Sequence, residues 1–212
     1  LHVVFAIDRG GLVGADGPTH HGAYDLSYLR MIPHMVIMTP SDEQELRDML
    51  WTAVQHDGPV AFRYPRGNAS GLPLRTVFET IPIGKGEMRR DGEDMAILAV
   101  GNMVQNALKA AELLENSGIH AAICNMRFVK PLDTELLETL ARRFKYILTV
   151  EDNAIIGGFG SGVAEFLTTV PGMQPVLRIH GLPDEYIEHG SQEDLHRSLN
   201  LDPLGIARTA GE

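Results

Sequence analysis

The residues best suited to chemistry lie in one glycine-rich segment, residues 8–22, with the sequence DRGGLVGADGPTHHG. Asp16 and His20 stand four positions apart in it, and an imidazole near a carboxylate can orient a hydroxyl group or transfer a proton near neutral pH. His21 carries the same chemistry, and spacing does not separate it from His20. The structural alternative is that Asp16 forms an Asx-turn and both histidines face solvent.

Three arginines are candidates for binding an anion. Arg63 and Arg66 belong to the motif RYPRGN at the end of a predicted strand, and Arg9 follows the first apolar run. A guanidinium held at such a place can contact a phosphate or carboxylate through two hydrogen bonds. The alternative for each is an ordinary ion pair at a strand end.

A second glycine-rich segment, GGFGSG at residues 157–162, follows another predicted strand. A helix N-terminus of this kind can bind phosphate, but the segment matches neither GxGxxG nor GxxxxGK[ST]. We therefore favour close packing of a helix N-terminus against another domain or subunit here. Glu151 and Asp152, at the end of the preceding strand, are interpreted as structural partners of a helix or loop.

The composition narrows the range of partners. A formal net charge of -10 and a pI near 5.3 argue against nucleic acid and anionic membranes, although not against small anionic substrates. No metal ligands occur at typical spacings, so no metal site is predicted in this chain. The single cysteine, Cys124, lies in an apolar run and is predicted to be a buried, inert thiol. With no apolar run of transmembrane length and no visible signal peptide, we expect a soluble protein of a reducing compartment.

Strand and helix patterns alternate through the first 72 residues. Strands are predicted at residues 1–7, 35–38 and 60–64, the first of them buried. Between the last two, Ser41 is predicted to cap a helix, with Gln44 at capping-box spacing. Its predicted apolar face consists of Leu46, Met49, Leu50, Ala53 and Val54. This pattern is typical of a parallel βαβ unit, and an apolar run that starts at Leu1 suggests part of a longer protein.

Residues 73–90 lack helical periodicity and are predicted to be a linker between two domains, residues 1–72 and 91–212. In the second domain strands are predicted at residues 95–100, 119–128, 146–150 and 176–179. Helices are predicted after Asn102 and Asp133 and at residues 162–169 and 191–199. Alternating strands and helices predict an α/β fold with a mostly parallel sheet.

Several segments together resemble the 1-deoxy-D-xylulose-5-phosphate synthase family of the transketolase-like group. They are FAIDRGGLVGADGPTHHGAYDLSYLR, MTPSDEQELRDML, RYPRGN, RFVKPLD, VEDNAIIGGFGSG and GLPDEYIEHGSQEDL. The resemblance implies a transferase that uses thiamine diphosphate and Mg²⁺ to join pyruvate to D-glyceraldehyde 3-phosphate with release of CO₂. Its product serves the synthesis of isoprenoid, thiamine and pyridoxal precursors. It also implies a homodimer in the cytoplasm, or in the plastid if the source is a plant or alga.

The resemblance also assigns roles to individual residues. Asp16 and His20 fall on active-site positions that contact the acceptor, Arg66 falls on the position that holds the acceptor phosphate, and Arg9 has a similar anion-binding role. The carboxylate that activates the cofactor and the domain that binds magnesium and diphosphate are expected before Leu1. The chain resembles the later part of a pyrimidine-binding domain followed by the C-terminal domain, and alone it is predicted to be inactive.

Two other functions remain open from the sequence. One is a different transketolase-like carboligase or a 2-oxoacid dehydrogenase subunit. The other is a non-catalytic module that binds a partner or an effector.

Overall fold

The protein contains two β-sheets with helices packed against them, as seen in a computed structural model that describes residues 1–172 and 174–212. The strands are β1 (Val3–Ile7), β2 (Val36–Met38), β3 (Pro59–Arg63), β4 (Glu87–Arg90), β5 (Met95–Ala99), β6 (Ala121–Asn125), β7 (Phe128–Lys130), β8 (Tyr146–Ala154) and β9 (Val176–Leu182). The helices are α1 (Asp25–Arg30), α2 (Glu43–Gln55), α3 (Met103–Glu115), α4 (Thr134–Arg143), α5 (Phe159–Thr169), α6 (Gln192–Ser198) and α7 (Pro203–Gly211). The predicted α/β fold class is confirmed.

The first sheet has the strand order β1-β3-β2-β7. Strands β1, β3 and β2 are parallel, and helix α2 connects β2 to β3, which confirms the predicted βαβ unit. Strand β7 comes from much later in the chain and pairs antiparallel to β2. The first sheet is therefore built by both halves of the chain.

The second sheet has the order β4-β6-β5-β8-β9, in which all pairs are parallel except β4 with β6. Alternate residues of β5 point to opposite faces, so that Ile97 belongs to one apolar cluster and Leu98 to another. The second cluster also contains Leu26 and Leu29 of α1 and Ala61 of β3. The two sheets therefore share one continuous apolar core.

The predicted burial of the first strand is wrong for this chain. Strand β1 lies at the edge of the first sheet, where it pairs with β3 on one side and with no other described strand. Val3 is 37% exposed and Phe5 is 45% exposed. An apolar sequence shows that a strand suits a sheet, but it does not show whether other chain segments cover both faces.

The predicted cap and face of α2 also need correction. Asp42, not Ser41, caps the helix, and its carboxylate accepts a hydrogen bond of 2.8 Å from the Glu45 backbone N–H. Leu50 and Val54 are about half exposed. Their places on the buried face are taken by polar residues, because the chain leading to β4 covers that side of α2. The buried set is Glu45, Asp48, Met49, Thr52 and Ala53.

Three further features differ from the sequence predictions: a helix cap, a strand and the start of a helix. Asn102 precedes α3, but its side chain does not cap the helix and instead reaches Asp152 at 3.4 Å. The single strand predicted at residues 119–128 is two strands in different sheets, separated at Arg127, which has a φ of 53°. Helix α5 begins at Phe159 and not at Gly162. The predicted cap at Asp133 is confirmed by its hydrogen bond to the Leu136 N–H.

The segment predicted as a linker contains strand β4, which pairs with β6 in the second sheet. The proposed division into residues 1–72, 73–90 and 91–212 remains a prediction. Within the described ranges, no helix is both long and apolar enough to cross a membrane.

Candidate active site

The candidate site lies where two parallel strands of the first sheet end. Ile7, the last residue of β1, pairs with Arg63, the last residue of β3. Arg9 and Arg66 follow these residues by two and three positions, so both come from the carboxyl edge of the sheet. This edge is where open α/β sheets bind ligands.

The glycine-rich segment after β1 is closed into a loop by its backbone. Gly11 and Gly22 exchange two hydrogen bonds of 2.9 Å between their N–H and C=O groups. A side chain at Gly11, which has a φ of +79°, would collide with the carboxylate of Asp152. Inside the loop, the Gly17 N–H donates to the Gly14 carbonyl at 3.1 Å. This tight turn presents Asp16 at the tip of the loop.

Asp16 and Arg66 form an ion pair in which the Arg66 Nη1 contacts the Asp16 Oδ2. The Asp16 side chain is 33% exposed and that of Arg66 is 52% exposed. Such an exposed pair contributes little to stability, but it leaves a guanidinium accessible to a ligand. The structure therefore brings together two of the residues singled out in the sequence.

His20 lies in the same loop and is exposed. Its backbone N–H donates to the Gly17 carbonyl at 3.0 Å, and its Nδ1 lies 2.9 Å from the Thr19 hydroxyl. Among the described residues, no hydrogen bond joins His20 to Asp16, whose partner is Arg66 instead. The ring therefore projects from the loop without a carboxylate to orient it.

Arg9 is at the same edge but is not joined to the Asp16–Arg66 pair. It has a positive φ of 56° and forms an exposed ion pair of 2.6 Å with Asp8. Its location agrees with an anion-binding role, while its contacts in this structure are local.

His21 supports the loop from inside. Its Nδ1 accepts a hydrogen bond of 3.0 Å from the Val13 N–H, so the proton of the neutral ring is on Nε2. The Nε2 atom is buried and has no hydrogen-bond partner among the described residues. The structure thus distinguishes the two histidines, which their spacing did not. The His20 side chain is exposed, whereas the His21 side chain forms a hydrogen bond with the loop backbone.

Arg63 forms a structural ion pair, which was the alternative interpretation of the arginines in RYPRGN. It is buried with Asp25, and its Nε donates to the Asp25 carboxylate at 3.0 Å. Its Nη2 donates to two backbone carbonyls, those of Gly22 at 2.6 Å and Asp152 at 2.7 Å. Of the two arginines in RYPRGN, Arg66 is the exposed one, so it can meet a ligand.

Asp152, at the end of β8, is a fully buried carboxylate that contacts the loop. Its two oxygens accept from the Leu12 N–H at 3.2 and 3.3 Å, and Oδ2 lies 3.0 Å from the Nε2 of His196. Burial raises the pKa of Asp152, but the hydrogen bond from His196 and the nearby charges of His196 and Arg63 outweigh burial and hold that pKa below its usual range. Asp152 is therefore a structural partner of the loop, as the sequence indicated.

Glu151 has a similar role on the opposite side of β8. Its carboxylate accepts hydrogen bonds from the N–H groups of Phe159 at 2.6 Å and Gly160 at 2.8 Å, at the N-terminus of α5. Burial raises the pKa of Glu151 to about 8, against the effect of these two hydrogen bonds. The Glu151 carboxyl group occupies this helix N-terminus, and Arg30 of α1 donates to the Gly157 and Gly158 carbonyls at 2.6 and 2.9 Å, so residues 157–162 pack closely against the first-sheet half of the chain. A side chain at Gly160 would collide with Thr149 and Ile179.

Helix α6 and the residues before it complete the support of the loop. The Gln192 Nε2 donates to the Leu12 carbonyl at 2.6 Å, and the Gly190 N–H donates to the Gly14 carbonyl at 3.4 Å. Gln192 and His196 were not found from the sequence, because nothing in their local pattern links them to a loop near Leu12. His189 is exposed.

Two other predictions concern metal ligands and the cysteine. Among residues 1–172 and 174–212, no group of three or more His, Cys, Asp or Glu side chains is arranged to hold a metal ion. Cys124 is buried, as predicted, and burial raises its pKa to about 12.

Family models of known domains match most of the chain. The transketolase pyrimidine binding domain matches residues 1–70, and the transketolase C-terminal domain matches residues 84–206. The chain belongs to the transketolase family. The second match begins before β4, in agreement with the pairing of that strand in the second sheet.

Within this family, the chain is similar to curated relatives that share one name. A 1-deoxy-D-xylulose-5-phosphate synthase of Chlorobium luteolum is 54% identical over 100% of this chain and 34% of its own length. One of Vibrio vulnificus is 55% identical over 97% of this chain and 32% of its own length. The chain thus spans about a third of the length of these relatives. Among solved structures, a split gene transketolase described as an inactive beta4 tetramer is 28% identical, with a TM-score of 0.81, over 99% of this chain and 65% of that chain.

Proposed function

We propose that the protein containing this chain is a thiamine-diphosphate-dependent carboligase that condenses pyruvate with D-glyceraldehyde 3-phosphate and releases CO₂. In this proposal the chain supplies the part of the active site that binds the phosphorylated acceptor. The observation that carries the proposal is the exposed Asp16–Arg66 pair at the carboxyl edge of the first sheet. The names of relatives at 54% and 55% identity support the choice of reaction.

Arg66 is the proposed phosphate ligand. A guanidinium binds phosphate through two charge-assisted hydrogen bonds, and this one already lies against an anion, the Asp16 carboxylate. A phosphate arriving at the loop tip would compete with Asp16 for Arg66. Arg9, from the neighbouring strand end, adds positive charge at the same edge.

His20 is the proposed proton-transfer residue, because its ring is exposed and, within residues 1–172 and 174–212, its side chain meets only a neighbouring hydroxyl. An imidazole titrates near neutral pH, so it can donate a proton to a reacting oxygen or accept one from it. Asp16, which projects from the same turn, is the proposed second polar contact for the acceptor. Release of Asp16 from Arg66 on phosphate binding would leave its carboxylate available to a substrate hydroxyl.

The proposed cofactor ligands lie outside this chain. No described cluster of side chains suits Mg²⁺, and Glu151 fills the N-terminus of α5, where a diphosphate could otherwise bind. Thiamine diphosphate, when bound, supplies the electron sink for decarboxylation of a 2-oxoacid. In our proposal its ligands, its activating carboxylate and Mg²⁺ belong to the part of the enzyme outside this chain. The homodimer and the cytoplasmic location remain predictions.

The proposal is tested with a full-length protein that contains this chain. Pyruvate, D-glyceraldehyde 3-phosphate, thiamine diphosphate and Mg²⁺ are supplied, and formation of 1-deoxy-D-xylulose 5-phosphate and of CO₂ is followed. We expect both products in equal amounts. Formation of acyl-lipoyl groups in place of the sugar phosphate would instead favour a 2-oxoacid dehydrogenase subunit and contradict the proposal.

The 212-residue chain alone provides a second test. We expect neither carboligation nor binding of thiamine diphosphate, because the proposed cofactor ligands lie elsewhere. Turnover by the chain alone would show that this division of the site is wrong. An inactive full-length protein that binds a partner or effector would favour the non-catalytic module.

A further inference from the structure

Both ends of the candidate active-site loop are connected to a single residue of the second sheet. At the start of the loop, the Leu12 N–H donates to the carboxylate of Asp152. At its end, the Gly22 carbonyl accepts from Arg63 at 2.6 Å, and the same Nη2 atom of Arg63 donates to the Asp152 carbonyl at 2.7 Å. Asp152 therefore fixes the loop directly at Leu12 and through Arg63 at Gly22.

The connection to Gly22 uses the backbone carbonyl of Asp152, whereas the connection to Leu12 uses its side-chain carboxylate. Asp152 is fully buried, and its oxygens meet donors on three sides: the Leu12 N–H, His196 and Asn102. The absence of a side chain at Gly11 allows the carboxylate to approach the backbone, since a Cβ there would collide with it. A buried carboxylate with so many donors holds its neighbours in one geometry, because each lost contact leaves an unpaired polar group.

We infer that Asp152 is a positioning residue for the candidate active site, an inference that rests on the proposed function. Asp152 is at the end of β8 in the second sheet, whereas Asp16 and Arg66 belong to the first-sheet edge. By fixing the loop at both ends, Asp152 sets where the tight turn places Asp16 against Arg66. His196 of α6, whose side chain is 12% exposed, holds the carboxylate from the far side.

The experiment measures backbone amide hydrogen exchange in the full-length protein and in two variants of adjacent residues. Asp152→Asn keeps the size of the side chain and removes its charge. Glu151→Gln makes the corresponding carboxyl-to-amide change one position earlier, where the side chain faces α5 and not the loop. In Asp152→Asn we expect the Leu12 amide to exchange about tenfold faster or more, which is the effect of weakening a charge-assisted hydrogen bond. The exchange rates of the Phe159 and Gly160 amides should not change. In Glu151→Gln we expect the reverse pattern.

Kinetics then separate positioning from general stability. For Asp152→Asn we expect kcat/KM for D-glyceraldehyde 3-phosphate to fall about tenfold, with KM for pyruvate unchanged, because only the acceptor meets the loop. For Glu151→Gln we expect both parameters to stay within about twofold of wild type. If Asp152→Asn fails to fold, Asp152→Glu, which keeps the charge and displaces the oxygens, takes its place with the same expectations.

Each result has a defined meaning. Unchanged exchange at Leu12 in a folded Asp152 variant would overturn the inference whatever the activity. Faster exchange with an unchanged kcat/KM for the acceptor would also overturn it. A wild-type protein that lacks carboligase activity would overturn the proposed function, and the exchange data would still show whether Asp152 holds the loop.

Discussion

The Arg66 guanidinium lies against the Asp16 carboxylate, although the two residues are 50 positions apart in the sequence. One comes from the tip of the loop after β1 and the other from the turn after β3. The contact makes the neighbouring ends of two parallel strands into one polar surface. An exposed ion pair of this kind is easily exchanged for a stronger ligand of the arginine, such as phosphate.

His20 and His21 should respond differently to substitution. In the full-length protein, His20→Ala is expected to lower kcat about 10²-fold or more, the usual loss for a positioned acid or base, with no loss of thermal stability because the ring is exposed. His21→Ala is expected to lower the melting temperature, since it removes the acceptor of the Val13 N–H. Steady-state kinetics and thermal unfolding measure the two effects. His120→Ala, an exposed histidine just before β6, is the control. Turnover of His20→Ala within about threefold of wild type would remove its catalytic role.

Arg63 should be required for folding. Arg63→Ala leaves Asp25 as a buried unpaired charge and removes the donor of two backbone carbonyls, so we expect a loss of about 3–5 kcal/mol in the free energy of unfolding. Urea unfolding of the 212-residue chain measures this loss. The matched control is Arg142→Ala, an exposed arginine on α4, for which about 0.5 kcal/mol or less is expected. Equal effects of the two substitutions would contradict the role assigned to Arg63.

Glu151 should make stability depend on pH. Its pKa is raised from 4.5 to about 8 in the folded protein, so between these values the folded state binds more protons than the unfolded state. The favourable contribution is therefore fully present below the unfolded pKa and is lost as pH rises towards about 8, with a slope of at most about 1.4 kcal/mol per pH unit. Glu151→Gln, which is neutral throughout, should lack this slope, while the exposed control Glu112→Gln should keep it. Urea unfolding at several pH values measures the slopes, and parallel curves for wild type and Glu151→Gln would refute the assignment.

Cys124 should be unreactive in the folded protein. Burial raises its pKa to about 12, so almost no thiolate is present at neutral pH, and the side chain is inaccessible. We expect iodoacetamide to label Cys124 only in denaturant. A Ser117→Cys, Cys124→Ala variant, with its thiol in an exposed turn, should be labelled under native conditions. Equal labelling rates in the two native proteins would contradict the buried environment.

Much of the fold followed from local pattern. The βαβ unit of the first sheet, the cap at Asp133 and the positions of most strands were predicted because periodicity and capping depend on neighbouring residues. Apart from the cap of α2, which is Asp42 and not Ser41, the failures concern long-range contacts. The apolar run at residues 119–128 does not show where the chain leaves one sheet for the other. The burial of polar residues on α2 could not be predicted from their own sequence pattern, because the segment that covers them comes later in the chain.

The candidate site shows the same limit. Asp16, His20, Arg66 and Arg9 were found from residue type, motif and resemblance, and they come from one sheet edge. Asp152 was predicted to be structural, but its contact with Leu12 spans 140 positions and has no local signal. Gln192 and His196 were missed for the same reason. The residues proposed to contact substrate were visible in the sequence, whereas the residues that position them required the fold.

The phosphate specificity of Arg66 tests the central claim most directly. In the full-length protein, kcat/KM is measured for D-glyceraldehyde 3-phosphate and for D-glyceraldehyde, in wild type, in Arg66→Ala and in the exposed control Arg142→Ala. We predict that Arg66→Ala lowers the preference for the phosphorylated acceptor about 10- to 100-fold, mainly through KM, and that Arg142→Ala leaves it unchanged. The same preference in wild type and Arg66→Ala would contradict the account.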